Sequence, residues 1–113
     1  MTITELKAIL VEAQNAATAR SMEEYTKHGD GWACGFAWVN IYEHNGKKIK
    51  GNTKLGRLLK AAGVRQDWTR AFQVWAGEWY NGQSIDIKEA GAQAYADVLR
   101  KYGFTAYAGS RLD

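Results

Sequence analysis

One cysteine, no proline, two histidines and no long apolar run limit what this 113-residue chain can be. A lone Cys34 allows no internal disulfide and no cysteine-based zinc cluster. His28 and His44 are too few and too isolated for a metal site, and we expect neither a metal nor a cofactor. Without proline, every turn falls to Gly, Asn, Asp and Ser, and twelve glycines make that feasible. No stretch approaches the roughly 20 apolar residues that span a bilayer, so no membrane partner is expected. The start, Met1-Thr2-Ile3-Thr4-Glu5, is polar and soon acidic, and the expectation is no secretory signal and a reducing cytoplasm. Walker, Rossmann and hydrolase-elbow sequences are also missing, which makes a binding protein a better expectation than an enzyme.

What the chain does have is 46% apolar residues and five tryptophans, enough core for one domain over residues 1–113. The run Gly31-Trp32-Ala33-Cys34-Gly35-Phe36-Ala37-Trp38-Val39-Asn40-Ile41-Tyr42 alternates large and small side chains with period two, as a β-strand does. One face carries Trp32, Cys34, Phe36, Trp38, Asn40 and Tyr42, and the other Ala33, Gly35, Ala37, Val39 and Ile41. Both are mostly apolar, so the strand is expected to be covered on both sides. In so short a chain, one cover would be a ligand or a second subunit, giving a homo-oligomer.

Thr2-Ile3-Thr4-Glu5 has the form of a capping box. A helix is expected to follow to about Ala17, burying Ile3, Leu6, Ile9, Leu10 and Ala13. Ser21-Met22-Glu23-Glu24 repeats the signal and predicts a short second helix ending near Lys27. After the strand, Asn45-Gly46 marks a turn and Lys47–Gly51 reads as a mobile basic loop. Asn52 or Thr53 can cap a third helix that ends at Gly63. Arg70–Trp75 predicts a strand with Gln73 and Trp75 opposite Phe72 and Val74. Ser84 or Asp86 then caps a long helix to about Tyr102, Gly103 ends it, and Phe104–Ala108 forms a last strand. The expected fold is α+β, in the order α-α-β-α-β-α-β, with three strands and helices mainly on one face.

At the head of the long helix, Gln83 and Ser84 offer N–H groups and the positive dipole end, with Lys88 one turn in. The preceding loop adds Trp75, Trp79, Tyr80 and Asn81, aromatic faces and an amide that suit a nucleobase. The plain alternative is capping by Ser84 with the tryptophans in the core. Arg20-Ser21, at the expected start of the short helix, is a second phosphate-type arrangement, against a capping serine beside a surface arginine. Arg111 can reach an anion or pair with Asp113. His28, Asp30 and Cys34 supply the residue types of an activated thiol. Cys34 lies mid-strand, however, and a buried, inert cysteine is the expectation.

Charge is unevenly spread. Residues 47–70 hold Lys47, Lys48, Lys50, Lys54, Arg57, Lys60, Arg65 and Arg70 against the single acid Asp67. Such a stretch suits a nucleic-acid backbone, or simply a solvated helix face and loop.

Through Gly31–Val39, Gln83-Ser84-Ile85 and the ending Ala106-Tyr107-Ala108-Gly109-Ser110-Arg111-Leu112-Asp113, residues 20–113 resemble a group of small tailed-bacteriophage proteins. The resemblance implies a phage origin and action in the host bacterial cytoplasm, and it assigns no functional residues. Joined to the aromatic loop and its phosphate cradles, it gives the first expectation. This is a phage accessory protein that sequesters a nucleotide-derived signal of host antiviral defence without turning it over. The alternatives are nucleic-acid binding through the 47–70 stretch and inhibition of a host enzyme by direct contact.

Overall fold

The computed structural model describes residues 1–31 and 33–113, so the expected strand position at Trp32 lies outside the described residues. Helix α1 runs unbroken over Ile3–His28. Its capping box forms as expected: Thr2 Oγ1 accepts from the Glu5 N–H at 3.1 Å, and Glu5 Oε1 accepts from the Thr2 N–H at 3.0 Å. The two expected helices are therefore one, and Ser21 does not cap a second. No glycine or proline interrupts Ala16–Arg20. Arg20 also pairs with Glu24 one turn on at 2.6 Å. Ser21 turns inward, fully buried, and donates to the Ile87 carbonyl at 3.3 Å.

Strand β1 (Gly35–Tyr42) keeps the period-two pattern, with Ala37, Val39 and Ile41 buried and Phe36, Trp38, Asn40 and Tyr42 half-buried. The Asn45-Gly46 turn follows, Gly46 at φ 81° and Asn45 Oδ1 accepting from the Lys47 N–H at 3.0 Å. The segment after it is not a free loop. Lys48 bridges back to Tyr42, and Ile49 is buried in the core. Thr53 caps helix α2 (Lys54–Ala61), and Gly63 turns at φ 90°.

Next come β2 (Arg65–Gln66), β3 (Phe72–Trp75), a 3-10 turn (Ala76–Glu78), helix α3 (Ile85–Lys101) and β4 (Thr105–Leu112). The sheet thus has four strands rather than three, and the order is α-β-α-β-β-α-β. The two-residue β2 is too short to leave a periodic signal. Strand β4 outruns its expected end because it pairs with β1 at every position from Tyr42↔Thr105 to Gly35↔Leu112.

The antiparallel order is β2-β3-β1-β4. Strands β1 and β2 run parallel with β3 between them, and β3 and β4 run parallel with β1 between them. These are two interleaved β-α-β units, the split β-α-β arrangement, preceded by α1. Helix α3 lies against β1 and β4, and α1 packs chiefly on α3. Phe72, Val39, Ile41, Leu59, Leu6 and Leu99 fill the core almost without exposure. Each such side chain contributes about 1.5–3 kcal/mol. All of this covers one face of the sheet, and no helix among the described residues lies over the aromatic face of β1, the face expected to meet a ligand or a second subunit. No helix among the described residues is long and apolar enough to cross a membrane.

At the α1–α3 crossing, a Cβ on Gly91 would come within 2.4 Å of the Trp79 ring and 2.5 Å of Ser21 Oγ. Alanine is the better helix former by about 1 kcal/mol. Gly91→Ala is nevertheless expected to destabilise the fold by about 1–3 kcal/mol through overpacking. Urea denaturation measures this, and unchanged or raised stability would contradict the close approach.

Candidate functional site

Asp30, just past the Gly29 turn that ends α1, reaches the head of α3. Its carboxylate accepts from the Ser84 N–H at 3.0 Å, from the Gln83 N–H at 3.1 Å and from the Tyr80 hydroxyl. Ser84 is the N-cap residue, but its own hydroxyl is buried without a partner. The expected anion site is thus filled by the chain's own carboxylate. The Tyr80 hydroxyl above all, then the Ser84 and Gln83 N–H groups, holds the Asp30 carboxyl below its usual range. Burial and the Asp30 charge push the Tyr80 phenol up.

The other expected site residues separate into distinct places. Trp79 is buried against Tyr95, ring centroids 5.4 Å apart, and its Nε1–H donates to the Lys88 carbonyl at 3.3 Å. Asn81 and Gln83 are exposed in the loop. Arg20 lies within α1, ion-paired to Glu24 at 2.6 Å and Glu23 at 3.5 Å, so the Arg20-Ser21 arrangement has no helix start beneath it. Cys34 is exposed rather than buried, His28 sits 3.6 Å from Glu24, and Asp30 caps α3. The three have separate surroundings.

Trp75, Lys88 and Arg111 do come together, around Phe36 on the uncovered face of the sheet. The Arg111 guanidinium lies 5.4 Å and the Lys88 ammonium 5.7 Å from the Phe36 ring centroid. Trp75 meets Phe36 edge-on at 6.2 Å. Trp38 is the cross-strand partner of Trp75, centroids 5.1 Å apart. On its other side Trp38 faces Gly109, where a Cβ would fall 2.6 Å from the indole nitrogen. Glycine there lets the indole lie over β4. Tyr42 and Tyr107 add a second aromatic pair at 5.9 Å.

A polar chain fixes this platform. The Trp75 Nε1–H donates to Gln73 Oε1 at 2.8 Å, and Gln73 Nε2 donates to Asn40 Oδ1 at 2.9 Å. Trp75 is 44% exposed and Tyr107 57%, so ring surface remains open to a ligand. Trp75, Lys88 and Arg111 are expected binding residues, whereas Phe36, Trp38, Tyr42 and Tyr107 join them on this surface without having been among the expected ones. The period-two pattern already put Phe36, Trp38 and Tyr42 on one face, so the signal was present.

The basic stretch divides as well. Lys48, Lys50, Lys60 and Arg70 line one groove of about 510 Å³ with Gln66, while Lys54 lines a different cavity beside Glu43 and His44. Lys47 and Arg57 are exposed and line neither. Comparison with known proteins gives no match to a family model, a curated protein or a solved structure.

Replacing Asp30 tests the closed head of α3. Its folded pKa lies below the unfolded value, so its contribution is complete above about pH 4 and fades as pH falls through the folded pKa. Asp30→Ala is expected to cost about 1 kcal/mol at neutral pH, as lost caps do. The gap between variant and wild type should narrow below about pH 4 in thermal melts. A gap independent of pH would contradict the charged cap.

Proposed function

We propose that this protein binds single-stranded nucleic acid, stacking unpaired bases on the open aromatic face of its sheet. The observation that carries the reading is the joined Phe36–Trp38–Trp75 surface, braced by Gln73 and Asn40 and flanked by Arg111 and Lys88. Flat rings offer stacking to any base, and the neighbouring cations suit the phosphates between bases. With the tailed-phage resemblance, the reading is of a phage accessory protein acting on nucleic acid in the cytoplasm of the infected bacterium. It binds without turnover.

Sequestration of a free nucleotide is the second reading, favoured by two cations so close to one stacking surface. Against it stands the head of α3, where a carboxylate occupies the place wanted for phosphate. The platform residues separate the two readings from inhibition of a host enzyme, which needs no base.

Trp75→Ala and Trp38→Ala are each expected to weaken binding of a short oligothymidylate by about 1–3 kcal/mol, or roughly 5- to 150-fold. Calorimetric titration reads this directly. The buried Trp79, conservatively replaced by Phe, should leave affinity unchanged. Equal affinity in all three variants would remove the sheet face from the site. Thermal stabilisation by cyclic or linear mononucleotides, with none by oligonucleotides, would favour sequestration.

A further inference from the structure

The turn between β2 and β3 carries the most exposed large hydrophobic side chain among the described residues: Trp68, 93% exposed. Such exposure costs contact with the core and gains nothing within the chain. The turn that holds it is nonetheless well built. Asp67 Oδ1 accepts from the Thr69 N–H at 2.8 Å, the Thr69 hydroxyl at 2.6 Å and the Ala71 N–H at 3.0 Å. The Arg70 N–H donates to the Asp67 carbonyl at 2.9 Å.

Arg70 is held at φ 70°, the one non-glycine residue at positive φ among those described. A left-handed conformation is disfavoured for an arginine and persists where its surroundings over-determine it. Here Gln66 Nε2 donates to the Arg70 carbonyl at 3.0 Å, and Lys48 Nζ to the Thr69 carbonyl at 2.7 Å. The result sets Arg70 on the wall of the 510 Å³ groove, with Lys48, Lys50 and Lys60. None of these four cations has a carboxylate within 4.0 Å among the described residues. Asp67, the nearby acid, is taken up by the turn itself.

Unpaired cations around a groove, with a bare indole on the turn that forms its wall, are the two components of a single-strand site: phosphate attraction and base stacking. We propose that the β2–β3 turn and this groove form a second contact for the same nucleic-acid strand, Trp68 stacking on a base and Lys48, Lys50, Lys60 and Arg70 holding its phosphates. This inference rests on the base-stacking reading of the sheet face. Phe72 and Trp75 lie three residue steps apart, so β3 alone separates the turn from the platform by about 10 Å. One nucleotide therefore occupies the platform or the turn, whereas a strand of several nucleotides spans both.

The test compares thymidine monophosphate with a short oligothymidylate, bound to the full chain and to two variants: Trp68→Ala and the double change Lys50→Glu with Lys60→Glu. All three positions are exposed, and thermal melts establish that both variants fold. The expected result is an at least tenfold loss of oligothymidylate affinity in each variant, with monophosphate binding on the platform unchanged. The lysine variant should also lose about one unit of salt slope per charge. Unchanged oligothymidylate affinity in both variants would overturn the second contact and leave the platform standing. A wild-type chain that binds neither probe would overturn both. Binding to phosphatidylserine vesicles that needs Trp68, without binding to oligothymidylate, would overturn the inference in favour of a membrane surface.

Discussion

Close contact between α1 and α3 organises this molecule. Gly91 gives up its side chain so that Trp79 and Ser21 can meet the helix backbone, and Ser21 spends its hydroxyl on the Ile87 carbonyl. That contact holds α1 against α3 on the helix side of the sheet and not over its far side. With the other helices also committed to the Ala37–Val39–Ile41 face, no helix among the described residues lies over Phe36, Trp38 and Trp75. The open aromatic surface is thus a consequence of how few helices must serve one sheet, and its rings hide their area against each other instead.

Electrostatics sort the candidate sites in the same way. At the head of α3 the Gln83 and Ser84 N–H groups are satisfied internally by Asp30 and the Ile85 N–H by the Ala33 carbonyl, with Tyr80 closing the arrangement. That region looked like a ligand cradle in sequence, and it functions as a structural clasp between the end of α1 and the start of α3. On the sheet face and along the β2–β3 turn the balance is reversed. Cations stand beside aromatic rings or a groove wall, and among the described residues no carboxylate lies within 4.0 Å of them. The two kinds of place use the same residue types, and partners decide which is which.

Local features were legible in the sequence. The Thr2–Glu5 capping box, the Asn45-Gly46 turn, the Gly63 and Gly103 stops and the period-two run of β1 all depend on residues within a few positions of one another. Features set by distant partners were not. Ser21–Glu24 has the composition of a capping box, yet Ser21 answers to Ile87, 66 positions away. Asp30 caps a helix 54 positions on, which no local pattern announces. The exposure of Trp68 and Cys34 is a property of the folded surface, and β2 is too short to repeat. Trp75 and Trp79 stand four positions apart in sequence, and folding sends Trp79 into the core while turning Trp75 outward.

The central claim is that the uncovered sheet face is where nucleic acid meets this protein. Two-dimensional nitrogen–proton NMR tests it most directly, by following the indole N–H signals of the full chain as a short oligothymidylate is added. The account predicts large shifts for Trp38 and Trp75 and for the amides of Phe36 and Tyr107, with the Trp79 indole unmoved. Shifts confined to the head of α3 around Gln83 and Ser84, or no shifts at all, would contradict it.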